Sequence, residues 1–423
     1  MTDAPTNLMV PTYPRSVQPG IPRLSVAPEG WSTRRFGELL KVVQRPVRMT
    51  DDGEYDLVTV KRSRGGIESR GRFRGKDISV KSQFALEGGD FLISKRQIVH
   101  GACAVVPDEF AGSIVSNEYS VLRCKPGLDL GFLRYLSHSV YFQQTCFHSS
   151  IGVHVEKMIF KLEDWLKFRV NVPPLEEQKR IAAGFEAVDA KLAALREKAD
   201  GLRQFKIGLM QRLFSQELRF TREDGSNFPD WEERKLGSFG ELYGGLSGKS
   251  AEDFGEGVPF ITYRQVFESA RIDVSKFALV KIGPKEKQNR VVFGDVLMTT
   301  SSETPSEVGF ASVMLDEVED LYLNSFCFGY RPYDLKALLP EFSKYLFRSP
   351  LYRREVIKLA QGSTRFNISR TGFLKIKLLF PHPEEQEKIA GALSALDAKI
   401  DAVTDQISLM EAFKKGLLQK TFV

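Results

Sequence analysis

The sequence has little cysteine, few histidines and no long apolar run, and each shortage argues against a class of protein. Four cysteines in 423 residues are too few for a disulfide framework and favour reduced thiols in a cytoplasmic protein. No run of about 18 apolar residues predicts a transmembrane span, and the N-terminal segment lacks the apolar stretch of a secretion signal. The five histidines form no paired metal-ligand motif and no nucleophile–base set, which argues against independent catalysis.

Motifs of nucleotide-dependent and base-modifying enzymes are also missing. The segment Gly244–Ser250 is similar to a phosphate-binding loop, but Tyr243 stands where that loop needs its first glycine. The string nearest to the tetrad of amino-methyltransferases, at 171–174, carries an inserted residue and leads into a helix. The PD…(D/E)-x-K motif of nucleases is also absent. Its nearest match is Pro229-Asp230 with Glu233-R-Lys235, and these two parts are too close together for a pair of strands. The sequence therefore predicts no catalytic residue and no metal site.

The composition is that of a globular protein with more than one domain. The chain is 42% hydrophobic and 27% charged, and its 31 phenylalanines supply apolar material for more than one core. At about 100–200 residues per domain, a chain of 423 residues predicts two to four domains. The net charge of +6 permits nucleic-acid binding without requiring it.

An internal duplication organises the chain. Residues 173–214 and 381–422 align without a gap at an offset of 208, with 17 identities in 42 positions, including the strings EEQ, DAK and FK. Weaker similarity extends upstream, and the corresponding residues are Trp31 and Trp231, Gly37 and Gly237, Gly89-Asp90 and Gly294-Asp295, Phe132 and Phe342, Tyr135 and Tyr345, Leu136 and Leu346, Ser139 and Ser349.

The repeat predicts the order of domains. They are a flexible proline-rich arm over 1–30, a first variable domain over 31–172, a first helix over 173–220, a second variable domain over 221–380 and a second helix over 381–423. Short β-rich runs and helical patches predict an α/β or α+β unit in each variable domain. Because the helices are alike and the domains differ, we expect two similar tasks on two different targets. The arm has no counterpart in the second repeat, so a tail and a partner-binding segment both stay open.

Each repeat helix carries an apolar seam with heptad spacing, interrupted at Lys206 and Lys414. The seam residues are Ile181, Phe185, Val188, Leu192, Leu195 and Leu202, then Ile389, Leu393, Leu396, Ile400, Val403, Ile407 and Met410. Such a seam must be buried, and we predict a pseudo-two-fold, antiparallel coiled coil formed within the chain. A seam for another subunit and two separate amphipathic helices are the alternatives. About 40 residues at a rise of about 1.5 Å predict a rigid spacer of about 60 Å.

The positive charge is concentrated in the first variable domain. Residues 1–172 hold 24 basic and 18 acidic residues, whereas residues 221–380 hold 22 of each. Much of the excess lies in 61–76, where arginine and lysine side chains are candidates for contacting phosphates and for reading guanine. These candidates are Arg62, Arg64, Arg70, Arg72, Arg74 and Lys76. A solvated flexible loop is the alternative.

The second variable domain has no basic run, so its DNA-binding candidates are polar and aromatic clusters. One cluster is Tyr263, Arg264 and Gln265, and the other is Ser363, Thr364 and Arg365. Side chains of these types can donate hydrogen bonds to phosphates and to base edges. Many surface loops have a similar composition, so these clusters alone are weak evidence for DNA binding. The internal repeat is what makes them candidates.

These features together resemble the specificity subunit of type I restriction–modification systems, HsdS. The resemblance rests on PPLEEQKRIA at 173–182 and PEEQEKIA at 383–390, each followed by a D-A-K heptad helix ending in K-x-G-L-x-Q. Each repeat also has the upstream tryptophan and Gly-Asp strings, and the resemblance covers residues 31–423. It implies two target recognition domains that each read one half of an asymmetric bipartite DNA site, with helices that set the spacer.

The resemblance also implies partners and cofactors. The helices would bind two methyltransferase (HsdM) subunits carrying S-adenosylmethionine, and restriction (HsdR) subunits would add cleavage that depends on ATP and Mg. The chain itself would bind double-stranded DNA, no cofactor directly and no membrane, and would be non-catalytic. A protein-binding scaffold stays open, because the second domain is electrically neutral. An autonomous DNA-modifying enzyme is the third alternative, and the missing methyltransferase tetrad argues against it.

Overall fold

The computed structural model describes residues 17–422, so the predicted arm lies outside the described residues as far as position 16. The chain divides into two compact units, Met1–Glu197 with Thr404–Val423, and Lys198–Val403. Each unit combines one variable domain with parts of two long helices. The predicted mixture of helices and strands, in two domains, is confirmed.

The described part of the predicted arm, 17–30, forms no helix or strand and contacts the first variable domain. The carbonyl oxygen of Gly20 lies 2.9 Å from Nε2 of His148. The carbonyl oxygen of Ser25 accepts a hydrogen bond of 2.9 Å from the side-chain amide of Asn171. These two contacts anchor residues 17–30 to that domain.

The first variable domain contains thirteen strands and four short helices, and the first long helix, α5, follows it. The strands are β1 Ser32–Arg35, β2 Leu40–Val42, β3 Pro46–Val47, β4 Glu54–Val60, β5 Ile67–Arg74, β6 Gln83–Ala85, β7 Phe91–Ser94, β8 Cys103–Val105, β9 Ile114–Ser116, β10 Tyr119–Cys124, β11 Ser150–Ile151, β12 Ile159–Phe160 and β13 Arg169–Val172. The helices are α1 Phe36–Leu39, α2 Leu130–Leu136, α3 Val140–His148, α4 Leu162–Trp165 and α5 Leu175–Phe214.

The second variable domain contains twelve strands and four short helices, and the second long helix, α10, follows it. The strands are β14 Glu232–Lys235, β15 Gly240–Gly244, β16 Phe254–Ile261, β17 Ala278–Val280, β18 Val296–Thr299, β19 Ser301–Ser302, β20 Ala311–Val313, β21 Tyr322–Leu323, β22 Cys327–Pro332, β23 Ala360–Gln361, β24 Phe366–Ile368 and β25 Lys377–Phe380. The helices are α6 Tyr263–Glu268, α7 Pro340–Leu346, α8 Pro350–Ile357, α9 Arg370–Leu374 and α10 Pro383–Thr421. Among the described residues, none of the helices has the length and apolarity to cross a membrane.

Two sheets recur in both variable domains. The four-stranded antiparallel sheet has the order β2-β10-β7-β8 in the first domain and β15-β22-β18-β20 in the second. The strand that opens each domain pairs with the strand that closes it, β1 with β13 and β14 with β25. The duplication therefore extends through the cores of the domains, where sequence similarity alone is weak.

The third sheet differs between the domains. It has five strands in the first domain, in the order β3-β6-β9-β4-β5, and three in the second, in the order β17-β16-β21. One parallel contact is kept, because Leu57 of β4 pairs with Ile114 and Phe260 of β16 pairs with Tyr322. The strands added in the first domain are β3 and β6. Strand β5 corresponds to β17 of the second domain, and it carries Arg70, Arg72 and Arg74.

Each unit has its own aromatic core, and both long helices contribute to it. In the first unit, Phe36 stacks on Trp165 with ring centroids 4.3 Å apart, and the same core includes Phe185 of α5 and Leu418 of α10. In the second unit the core is built around Phe373 and Tyr330 and includes Leu213 of α5 and Ile389 of α10. The long helices are therefore part of each hydrophobic core.

The predicted seam residues lie on the inner faces of the long helices. Seven are buried and six are half-buried. The buried ones are Phe185, Leu192, Leu195, Ile389, Leu393, Leu396 and Val403, and the half-buried ones are Ile181, Val188, Leu202, Ile400, Ile407 and Met410.

A repeated serine divides the helical patch of each variable domain into two helices. Ser139 accepts a hydrogen bond from the backbone N–H of Phe142 and caps α3, and Ser349 accepts one from Tyr352 and caps α8. A serine at this position satisfies a backbone donor that the first helical turn leaves without a partner. The similarity around Ser139 and Ser349 therefore corresponds to two consecutive short helices that pack on the core of each domain.

Candidate nucleic-acid interface

The EEQ motif joins each variable domain to the start of a long helix. In the first unit the indole Nε1 of Trp31 donates to Glu177 at 3.2 Å, and in the second unit Trp231 donates to Glu385 at 3.0 Å. The Glu385 side chain is completely buried, and Arg219 also binds it, with Nη2 and Oε2 2.8 Å apart. A buried carboxylate needs such partners, because desolvation without them is costly.

The glutamine of the motif completes this joint. Gln178 donates to the carbonyl oxygens of Gly127 and Pro173, both at 2.9 Å, and accepts a hydrogen bond from the backbone N–H of Asp129. Gln386 makes the three equivalent bonds in the second unit. The residues that make the repeat easiest to see therefore attach domain to helix and are not candidates for contacting DNA.

The repeated Gly-Asp string also has a structural role. Asp90 is buried and accepts hydrogen bonds from Arg45 at 2.7 Å and from Arg123 at 2.8 Å. Asp295 is equally buried and accepts two hydrogen bonds from Arg331, at 2.6 and 2.8 Å. Each aspartate thus ties strands of the four-stranded sheet together by charge-assisted hydrogen bonds.

A tyrosine, an aspartate and a lysine meet where the first variable domain contacts the long helices. Lys414 of α10 donates to Oδ1 of Asp189 on α5, and the hydroxyl of Tyr135 donates to Oδ2 at 2.9 Å. The Lys414 side chain is only 5% exposed. A charge buried to this degree depends on its partner.

The second unit contains the equivalent cluster, displaced by the repeat offset. Lys206 of α5 donates to Oδ1 of Asp397 on α10, and Tyr345 and Lys344 each donate to Oδ2 at 2.7 Å. Burial acts to raise the pKa of Asp397, but the hydrogen bonds from these three side chains outweigh it, and the pKa is lowered. The two lysines that interrupt the apolar seams are therefore the partners of the aspartates in the two DAK strings.

The basic segment of the first variable domain is largely an edge strand. Strand β5 pairs with β4, and Arg72 makes a bidentate ion pair with Asp56 across the strands, at 2.7 and 2.9 Å. Arg72 and Arg74 are two residues apart and so lie on the same face of the strand. Arg70 lines a recess of about 230 Å³ together with Phe73, and Lys76 is exposed beyond the strand.

Arg64 differs from the other predicted DNA contacts because it is directed into the domain. Its side chain donates to the carbonyl oxygen of Ser137 and to Gln143, and the residue is 9% exposed. Ser63 and Arg64 both have the left-handed backbone, with φ of 52° and 59°, which turns the chain at this point. Sequence shows a positive charge but not the direction of the side chain, and Arg64 is not part of the candidate surface.

The β11–β12 hairpin lies beside the start of the basic segment. Glu156 in its turn accepts a hydrogen bond of 3.0 Å from Arg62, and Nε2 of His100 lies 3.1 Å from the same carboxylate. Val153 in the turn is 94% exposed. The hairpin therefore contacts the start of the basic segment at Arg62.

The first polar cluster of the second domain opens helix α6, and its three side chains have different surroundings. Tyr263 is half-buried, and its hydroxyl donates to the backbone carbonyl of Ser301 at 2.7 Å. Arg264 is exposed and pairs with Glu268 one turn further on. Gln265 is buried and donates to a backbone carbonyl, so it is not available to a ligand in this arrangement.

The second polar cluster lies in the turn of the β23–β24 hairpin, where Ser363, Thr364 and Arg365 are exposed. Arg365 and Tyr263 line one recess of about 340 Å³. The structure thus brings together two clusters that are far apart in the sequence. The other lining residues are Phe267, Ser301, Ser302, Glu303, Glu307 and Phe326.

The histidine, cysteine, aspartate and glutamate side chains of the described residues are the groups that could bind a metal ion. Among them, no group of three or more His, Cys, Asp and Glu side chains could hold a metal ion. Burial raises the pKa of the Cys103 and Cys124 thiols to about 11, so both are protonated at neutral pH.

Comparison with known proteins decides the family. The model of the type I restriction modification DNA specificity domain matches residues 28–203 and 229–411. The chain belongs to this family. A curated relative, the type I restriction enzyme MjaVIII specificity subunit of Methanocaldococcus jannaschii, is 25% identical over 415 residues and 92% of each chain is covered.

Solved structures of type I specificity subunits share the fold. The HsdS subunit from Thermoanaerobacter tengcongensis superposes with a TM-score of 0.53 at 20% identity, covering 94% of this chain and 97% of that one. A chain solved in work on complex assembly and conformational transition of the type I R-M system reaches 0.61 at 19% identity, covering 93% and 98%. The predicted resemblance to type I specificity subunits is therefore confirmed.

The duplicated specificity domain also reveals an element that the sequence prediction missed. Counting back from the two EEQ motifs reaches Gly152 and Gly362 at nearly the same distance, and both lie in hairpins that precede the closing strand of their domain. The sequence prediction named residues of the second hairpin only. The β11–β12 hairpin is thus the counterpart of the one that carries Arg365.

Proposed function

We propose that this chain is the DNA sequence-specificity subunit of a type I restriction–modification complex, and that each variable domain reads one half of an asymmetric bipartite site. One observation carries the proposal. The frame of the two units is the same, from the Trp–Glu–Gln joints to the Tyr–Asp–Lys clusters, whereas the exposed elements differ. The first domain presents a basic edge strand and the second presents a recess. Because the internal contacts are shared and the exposed surfaces differ, the two domains are expected to recognise two different half-sites.

The helices α5 and α10 are proposed to form an antiparallel coiled coil that sets the spacer. Within the first unit Asp189 pairs with Lys414 and Arg196 pairs with Glu411. Residue numbers therefore increase along α5 where they decrease along α10, as in an antiparallel pair. Within the second unit Lys206 of α5 also pairs with Asp397 of α10. The buried and half-buried seam supports the pairing. Half-sites about one helical turn of DNA apart suit two heads held by such a rod.

We further propose that the chain acts with partners and is not itself catalytic. Two methyltransferase (HsdM) subunits would dock on the helices, bind S-adenosylmethionine and flip the target adenine, and HsdR subunits would supply cleavage driven by ATP and Mg. Phe205 and Phe413 occupy equivalent positions of the repeat and are 61% and 57% exposed, which supports a docking face on each long helix. DNA recognition would remain with the variable domains.

Methylome sequencing tests this function. A host that expresses this chain together with its methyltransferase subunit is expected to gain a methyladenine mark at an asymmetric, gapped motif. Neither protein expressed alone should produce that mark. A purified complex that leaves no mark would contradict the DNA-reading role, and failure to form the complex would favour the protein-binding scaffold.

Removing the positive charge of β5 should make DNA binding weaker and less dependent on salt. Arg72 is held by Asp56, whereas Arg70 and Arg74 form no ion pair within the described part of the chain. Replacing Arg70, Arg72 and Arg74 with alanine is expected to reduce the slope of log K against log salt by about 0.9 for each phosphate that the variant no longer neutralises. Titration of duplex DNA at several salt concentrations measures this slope. The matched control is Arg96→Ala, which changes an exposed arginine of the same domain that pairs with Glu118. Equal slopes for the wild type and the triple variant would show that β5 does not contact DNA.

A further inference from the structure

The recess lined by Tyr263 and Arg365 in the second variable domain has two features that a surface binding only phosphate would not need. Phe326 on its rim is 58% exposed, and Glu303 and Glu307 place carboxylates in it. Carboxylates repel the phosphate backbone, so their presence needs a different explanation. A carboxylate is favourable at a DNA surface where it meets an amino group on a base edge.

The Glu307 carboxylate is fixed in place by two hydroxyl groups. Ser302 Oγ donates to its Oε2 at 3.0 Å, and Thr304 Oγ1 donates to the same oxygen at 2.8 Å. Both bonds use one oxygen, so Oε1 retains its capacity to accept from a ligand. An ionised carboxylate can only accept, and this restricts the bases that it tolerates.

Two half-buried arginines hold the walls of the recess. Arg353 donates to the carbonyl oxygens of Ser306 and Val308, the residues on either side of Glu307, at 2.8 and 2.7 Å. Arg348 donates to two backbone carbonyls at the end of α6, the helix that begins with Tyr263. Both walls are thus attached to one region of the chain, and such support keeps a recognition group in a defined position.

The cationic side of the recess is supplied by Arg365. Arg365 and Glu307 line the recess together with Tyr263, so a cation and a carboxylate lie around the same ring. Burial raises the pKa of the Tyr263 phenol, and the two charges act on that pKa in opposite directions. A cation beside the carboxylate can neutralise the repulsion from a neighbouring phosphate. The exposed ring of Phe326 offers an apolar contact of the kind that a thymine methyl group makes.

We infer that this recess is a base-reading subsite of the second half-site, and that Glu307 accepts a hydrogen bond from the exocyclic amine of an adenine or a cytosine in the major groove. The inference rests on the proposed function and extends it to one position of the site. Guanine and thymine present a carbonyl oxygen where adenine and cytosine present the amine. An acceptor-only carboxylate rejects such an oxygen, and this rejection is the source of the selectivity.

Glu307→Gln gives the sharpest test, because it keeps the shape and adds a donor. The hydroxyls of Ser302 and Thr304 favour the amide oxygen beside them, which turns the NH₂ group towards the recess. At one position of the second half-site, preference for adenine or cytosine over guanine or thymine should fall by about 10- to 100-fold. The first half-site should be unchanged. Methylome sequencing with the partner subunit, and competition binding with duplexes altered at each position, measure these preferences.

Two further variants complete the experiment. Phe326→Ala removes an exposed ring, so it should fold normally and weaken selection at the same or the adjacent position. Glu256→Gln, an exposed carboxylate of the same domain paired with Lys281, should leave both half-sites unchanged. A folded Glu307→Gln or Phe326→Ala complex that keeps the wild-type second half-site overturns the inference and leaves the proposed function intact. Absence of a gapped mark with the wild-type chain overturns both.

Discussion

Asp189→Leu is expected to destabilise the first unit by about 3–5 kcal/mol. The change leaves the Lys414 ammonium group, which is 5% exposed, without its carboxylate partner. Breaking a largely buried ion pair by removing one partner costs about this amount, because the remaining charge loses the carboxylate that offset its desolvation. The loss of the Tyr135 hydrogen bond to the same carboxylate adds to the effect. Denaturant unfolding and calorimetry of the full chain measure the change in the free energy of unfolding.

The double variant Asp189→Leu, Lys414→Met should recover most of the lost stability. Two apolar side chains of similar volume can replace a buried ion pair with little net cost. Arg196→Ala is the matched control, since Arg196 pairs with Glu411 between the same two helices but is 57% exposed. Its cost should stay below about 1 kcal/mol. A single variant as stable as the wild type would show that Asp189 does not compensate Lys414.

The reciprocity of these pairs explains why the duplication is so clear in the helices. Each repeat supplies one aspartate and one lysine, and each pair takes its two members from different repeats. A lysine in an apolar seam is unfavourable unless an aspartate stands opposite it, so the pair favours one direction and one register of the helices. The DAK and FK strings are therefore identical for a packing reason.

The sequence predicted the architecture well because its strongest signals are local. Heptad spacing and the EEQ starts predicted helices over 173–220 and 381–423, and α5 and α10 lie within those segments. The seam residues face inwards, as the period of an amphipathic helix requires. The interruption at Lys206 was visible in the sequence, but its partner was not, because the pairing is between distant parts of the chain.

The candidate site was harder to predict because it depends on direction and on long-range contacts. Arg64 belongs to the most basic segment, yet a left-handed turn directs it into the domain. Gln265 is two residues from Tyr263, but its side chain donates to a backbone carbonyl inside the domain. Glu307 and Phe326 lie in segments that carry no recognisable pattern, and only the fold places them beside Arg365. Propensity and charge describe residues one at a time, whereas a recess is a property of several loops.

Lengthening both long helices by seven residues is expected to widen the accepted spacer by about three base pairs. Seven residues add about 10.5 Å at a rise of about 1.5 Å per residue. One base pair of B-DNA occupies about 3.4 Å along the axis. Seven residues also return the helix to within about 20° of its starting orientation, so the apolar seam is preserved.

The positions of the insertions decide whether the test is clean. Placed after Glu197 in α5 and after Val403 in α10, they fall at the boundaries of the two units and leave the core of each unit intact. An insertion in one helix alone should abolish assembly, because the seams no longer match. Four residues in both helices should be poorly tolerated, since they rotate the seam by about 40°. Methylome sequencing gives the spacer directly, and an unchanged spacer in the doubly lengthened complex would show that the helices do not set it.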